Sequence, residues 1–176
     1  MKNPEPASDS KISRKRHWLR YAFEALLFVL ALTAIQMYQT REVVEGPAPA
    51  FEGVLLDGKA VSLESVHERP LLLHFWASWC PVCNLEQGSI QRISEDYPVL
   101  TVSIDDMPAD KLLEWMAAKG VSYPVVTDPS GAISRRYGIK GVPASLVIDK
   151  DNQIRFSGVG YTTETGLRLR LWWAGQ

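Results

Sequence analysis

The residues Pro70-Leu71-Leu72-Leu73-His74-Phe75-Trp76 form an unbroken apolar run of strand length, and only Ala77-Ser78-Trp79 separates it from Cys80-Pro81-Val82-Cys83. A strand without polar alternation is buried on both faces, which places it inside a sheet next to parallel neighbours. Phe51 to Leu63 alternates around Asp57-Gly58, a two-residue turn signal that predicts a small hairpin ahead of the main sheet. Helices are predicted from Pro81 to about Tyr97, over Ala109 to Lys119 with a Gly120 stop, over Ala132 to Tyr137 stopped at Gly138, and over Thr163 to Trp173. Strands are predicted over Val99 to Ile104, Pro124 to Thr127, Ala144 to Ile148 and Ile154 to Val159, the last two as a hairpin. That order is an α/β domain, a central mixed sheet flanked by helices with an extra N-terminal hairpin.

Charge divides the chain unevenly. Residues 1 to 41 hold seven Lys/Arg against three Asp/Glu, and residues 42 to 176 hold twelve against seventeen. A mildly acidic body without a dense basic stripe argues against nucleic-acid binding. Residues 1–20 read as a basic cytoplasmic tail, with Lys11, Arg14, Lys15, Arg16 and Arg20 before an apolar stretch at 21–38. As a helix that stretch spans roughly 27 Å, enough for a single-pass inner-membrane anchor. Glu24 interrupts it one turn from Arg20, where an ion pair near the interface lowers its cost. A cleaved secretory signal is the competing reading, but no small-x-small site follows the apolar run closely. Residues 39–50, rich in charge, Gly and Pro, read as a linker, and 51–176 as the domain on the periplasmic side.

Two cysteines, three apart, cannot staple distant loops; their chemistry is local. Cys80 stands at the predicted N-cap of a helix and Pro81 at its first position, so the Cys80 sulfur faces free N–H groups and the positive helix end. Those features favour the thiolate. Cys83, one turn deeper, is the resolving partner of an attacking Cys80. The buried stripe of this helix reads Cys83, Glu86, Ile90, Ile93, Tyr97, which puts Glu86 below the resolving thiol as a proton exchanger with a raised pKa. An acid at the edge of that stripe is the plainer alternative. A C-x-x-C pair also suits half a zinc site or a two-thiolate Cu(I) site, although no second pair completes a zinc site.

Phe75-Trp76-Ala77-Ser78-Trp79-Cys80-Pro81-Val82-Cys83, with Tyr137-Gly138-Ile139-Lys140-Gly141-Val142-Pro143 later in the chain, resembles the thioredoxin superfamily. The apolar N-terminal segment, the early hairpin, Glu86 and the insert through Pro124-Val125-Val126-Thr127-Asp128-Pro129 make it similar to the TlpA/ResA/DsbE branch, and within that branch to the suppressor-of-copper-sensitivity D proteins. The resemblance covers about residues 45 to 175. It implies a thioredoxin-like fold and a cis Val142-Pro143 peptide beside the disulfide, with Val142 pairing a substrate segment; read on its own, Pro143 could simply open a strand. Trp79, Pro81 and Val82 would complete the docking surface. His74 stands where thioredoxins carry a buried Asp, which makes it a candidate proton relay. Gly88 stands where many relatives carry a kinking proline.

The implied activity is dithiol-disulfide exchange on exported thiol proteins with no cofactor beyond the Cys80-Cys83 disulfide. A reductant fed by a DsbD-type membrane donor is the leading direction, in copper-stress tolerance or cytochrome c maturation. The rivals are an oxidant of exported proteins, a Cu(I)-binding module on Cys80 and Cys83, and a catalytically idle binding domain.

Overall fold

The computed structural model describes residues 9–176; residues 1–8, and the side chains of residues 9–17, 19, 32 and 36–40, lie outside the described set. The chain divides into a unit ending at Gln39 and a unit from Thr40 to Gln176. The first is helix α1, Asp9–Thr40. Its described side chains between Trp18 and Ile35 are exposed, and Arg20 pairs with Glu24 at 2.9 Å as the spacing suggested. Among the described residues no helix is long and apolar enough to cross a membrane. The expected anchor at 21–38 falls partly on side chains outside that set, and so does the basic cluster of the tail.

The second unit is built on β4, Leu71–Trp76, all six residues of which are buried. Its neighbours are β5, Val99–Ser103, in parallel and β7, Ala144–Ile148, antiparallel. With β1 (Gly46–Pro47), β6 (Val125–Thr127) and β8 (Gln153–Val159) the sheet order is β1-β8-β7-β4-β5-β6. Two successive parallel crossovers move outward from β4. Right-handed connection therefore puts α2 (Pro81–Ser94) and α3 (Ala109–Lys119) on one face. The chain then returns past β4, which puts α4 (Ala132–Arg136) on the other.

Side-chain alternation along β4 divides the core accordingly. Leu71, Leu73 and Phe75 pack with Phe51, Ile133 and Tyr137, while Leu72 and Trp76 pack with Ile90 and Ile93 of α2, Leu112 and Met116 of α3, and Leu167 and Leu171 of α5 (Glu164–Ala174). Thr163 caps α5 by accepting from Gly166 N–H.

Three sequence expectations change. The hairpin of β2 (Glu52–Val54) and β3 (Ala60–Ser62) closes through Leu56-Asp57-Gly58 rather than a two-residue turn: Gly58 N–H donates to Leu55 C=O, Leu55 N–H donates to Lys59 C=O, and Gly58 takes the left-handed conformation. Helix α2 ends at Ser94, where Asp96 and Tyr97 turn their N–H groups back to Ile93 C=O. Residues 42–50 are not a free linker. Gly46 and Pro47 pair with β8, Val44 N–H donates to Tyr137 C=O, Ala48 N–H donates to Asn152 C=O, and Val43 and Ala48 are buried. Gly138 permits this: a Cβ there would sit 1.8 Å from the Glu42 carbonyl oxygen. A Gly-Pro dipeptide reads as a spacer by composition, yet an edge strand needs few donors and tolerates it.

Candidate active site

Strand β4 ends at Trp76, and three residues carry the chain over the sheet edge to Cys80. Cys80 is the N-cap of α2 (φ −83°, ψ 113°), its sulfur accepting from Cys83 N–H at 3.1 Å, with Pro81 at the first helical position. The two cysteines form a disulfide with their Cα atoms 5.3 Å apart. Both sit at the positive end of α2, where developing negative charge on sulfur is stabilised. Cys80 is 4% exposed and Cys83 fully buried. An incoming thiolate therefore meets Cys80 first.

The connection before Cys80 is held from the β5 side. The Asp105 carboxylate accepts from Ser78 N–H at 2.9 Å, Ser78 Oγ at 2.7 Å and Ser103 Oγ at 2.6 Å, and Asn84 Nδ2 donates to Ser78 C=O. Asp128 ties down the loop before α4, accepting from Ile133 N–H, Ser134 N–H and Ser134 Oγ. On the β7 side the Val142-Pro143 peptide is cis, the Val142 carbonyl oxygen lies 3.6 Å from Cys80 Sγ, and Gly160 N–H donates to Pro143 C=O at 2.8 Å. Pro143 is buried, whereas Trp79 is 64% exposed and Val82 and Pro81 also face outward. A cleft of about 320 Å³ opens between Trp79, Ile104, Ile139, Val142 and the 128–135 loop.

Two titratable groups lie beneath this surface. Glu86 is buried on α2 one turn after Cys83; its Oε1 accepts from Thr162 N–H and its Oε2 has no partner among the described residues. Burial pushes its carboxyl up to about 7, against the Thr162 hydrogen bond, which lowers it. A carboxyl in that range can give or take a proton at neutral pH. His74 is buried in β4, its Nδ1 2.9 Å from Ser145 Oγ on the facing strand, and burial pushes its imidazole down to about 3. At neutral pH it is an uncharged hydrogen-bonding group of the core.

The sequence profile of the AhpC/TSA family matches residues 44–157, well over half of the chain. The chain belongs to the AhpC/TSA family. Among its relatives, the thiol-disulfide oxidoreductase ResA of Bacillus thuringiensis subsp. konkukian is 27% identical over 150 residues, covering 80% of this chain and 87% of its own. A thioredoxin-like protein of Haemophilus influenzae is 26% identical over 158 residues, covering 89% and 94%. In structure the chain is similar to a thiol:disulfide interchange protein of the thioredoxin family from Chlorobium tepidum TLS (TM-score 0.64, 26% identity, 74% of this chain and 97% of that one). It is also similar to the pneumococcal exposed lipoprotein thioredoxin Etrx1 of Streptococcus pneumoniae (TM-score 0.61, 28% identity, 70% and 98%). The thioredoxin-like α/β fold expected from the two motif regions is the fold of this AhpC/TSA-family chain.

The structure brings Trp79, Cys80, Cys83, Val142 and Pro143 to one rim, with Glu86 below it. Asp105 went unnoticed although an acid at the carboxyl end of a parallel strand is where α/β folds place site residues. Gln87 also went unnoticed; it is buried beside Glu86 on the stripe that was read only through its apolar members and Glu86. Trp172 and Trp173 are both more than half exposed, with Trp173 set edge-on to Phe156. Among the described residues no group of three or more His, Cys, Asp or Glu side chains could hold a metal ion.

Proposed function

We propose that this protein is a membrane-tethered thiol-disulfide oxidoreductase of the bacterial periplasm that exchanges the Cys80-Cys83 dithiol/disulfide with exported thiol proteins. The observation that carries the reading is the Cys80-Cys83 disulfide at the N-terminus of α2, with Cys80 the less buried sulfur and the Val142 carbonyl 3.6 Å from it. As reductant, the Cys80 thiolate attacks a partner disulfide and forms a mixed disulfide, releasing one partner thiolate. Cys83 then attacks the Cys80 sulfur, its thiol proton passing to Glu86, and frees the second partner thiolate. Two electrons leave the domain and the disulfide closes. No cofactor is required. Trp79, Pro81, Val82, Val142 and Pro143 form the surface on which the partner segment lies, and His74 supports the core beneath it.

The tether is the 21–38 segment, with the N-terminus cytoplasmic. Reductive direction, a DsbD-type membrane donor, and a place in copper-stress tolerance like that of the suppressor-of-copper-sensitivity D proteins follow from the resemblance carried by the motifs. The names of the thiol-disulfide oxidoreductase relatives support the exchange activity itself. The reduction potential, measured by equilibration against metal-free glutathione buffers with Cys80→Ser as control, tests the reading. A value near or below the roughly −270 mV of thioredoxin supports a reductant; one near the roughly −120 mV of DsbA reverses the direction. Failure of the wild type to exchange at all would sink the activity.

A further inference from the structure

Gln87 is 4% exposed in the middle of α2, and neither its amide nitrogen nor its carbonyl oxygen has a hydrogen-bond partner among the described residues. An unpartnered buried polar group is destabilising, and an apolar side chain at this position would avoid that at little cost in helix propensity. Packing alone does not account for the residue.

Its place on the helix does. Gln87 follows Cys83 by four residues, so the two share a face one turn apart, and a helical side chain lies back over the turn before it. A carboxamide at this position can reach back toward Cys83. The neighbouring donors and acceptors on this helix are partly committed: Asn84 Nδ2 to Ser78 C=O, and Glu86 Oε1 to Thr162 N–H. A disulfide sulfur carries no proton and is a weak acceptor. Reduction replaces the sulfur–sulfur bond with two thiols, taking up two electrons and two protons, and turns Cys83 into a donor as a thiol or a strong acceptor as a thiolate.

We propose that Gln87 is a positioning residue of the redox cycle whose carboxamide engages the Cys83 sulfur only when the disulfide is open. The amide N–H donates to the thiolate, or the thiol donates to Oε1, and the reduced state holds a hydrogen bond that the oxidised state lacks. The inference rests on the dithiol-disulfide exchange proposed above. Its rival is the Tyr123 hydroxyl, also buried without a partner, whose pairing with Gln87 would be the same in both redox states.

The test uses the full-length chain and its Gln87→Met and Gln87→Leu variants, two substitutions so that misfolding of one leaves the comparison standing, with Gln87→His as a variant that restores a donor. Each is equilibrated with reduced and oxidised glutathione, and the melting temperature is recorded in each redox state. The expected result is an equilibrium constant for reduction that falls about tenfold in the apolar variants, ~30 mV to the negative side. The melting temperature of the reduced form should drop while that of the oxidised form holds or rises, and Gln87→His should recover part of the shift. A constant unchanged within twofold, with both melting temperatures moving together, overturns the proposal in favour of a structural pairing. If the wild type does not exchange with glutathione, the proposed function fails and this inference with it; loss of the shift alone overturns only the role of Gln87.

Discussion

Asp105 and Glu86 are both carboxylates, 3% and 1% exposed, on opposite flanks of the same disulfide. They are treated in opposite ways. Asp105, on the β5 side, takes three donors from Ser78 and Ser103; Glu86, on the β8 side, takes one from Thr162 and leaves Oε2 bare. A fully satisfied buried carboxylate fixes the backbone around it, because any movement breaks several charge-assisted bonds at once. A half-satisfied one in low dielectric retains the capacity to bind a proton. The flank toward β5 therefore sets geometry, and the flank toward β8 holds the carboxyl that the proposed exchange would use for its proton.

The contrast can be broken by substitution. Glu86→Gln should slow exchange most among the non-cysteine changes, by roughly 10²-fold at neutral pH, and flatten the rate profile around pH 7, both measured by stopped-flow thiol trapping. The same variant should alter stability in a direction fixed by linkage. A carboxyl raised from 4.5 to about 7 holds its proton in the fold where the unfolded chain has lost it. Its contribution is complete below pH 4.5 and fades as the pH rises to 7, by up to about 3 kcal/mol. Urea titrations at pH 5 and pH 8 should show that fall as a difference: the stability of the wild type relative to Glu86→Gln should be lower at pH 8 than at pH 5.

Asp105→Asn should do the reverse, costing about 2 kcal/mol of stability in the same titrations while exchange changes less than about tenfold. Equal slowing in the two variants would erase the distinction between the flanks. His74→Asn should have the smallest effect on exchange, within about threefold. Its imidazole, lowered from 6.5 to about 3, refuses a proton that the unfolded chain accepts. The stability of the wild type relative to His74→Asn should therefore decline below pH 6.5, at about 1.4 kcal/mol per unit.

Much of this was legible in one dimension. The apolar run of β4 announced a buried central strand, and Gly120 and Gly138 announced helix ends, because burial on both faces and left-handed caps leave local traces. The Cys80 cap and the Glu86 position followed from helical spacing alone. What the spacing could not show was partnership across the sheet. Ser78, Ser103 and Asp105 are separated by up to 27 positions and look like loop polarity until β4 and β5 are laid side by side. Gln87 was hidden by the habit of reading a helix stripe through its apolar members. Residues 42–50 were misread because Gly and Pro are as much at home on a sheet border as in a spacer.

That border strand has a further consequence. Without residues 41–50, β8 would lose its pairing at Gln153 and Ile154 and present those peptide groups to solvent, and an uncovered sheet border is a template for another chain. A fragment trimmed to Phe51 should therefore self-associate with rising concentration. One beginning at Arg41 should stay monodisperse, so the short Gly46-Pro47 pairing acts as a guard against aggregation.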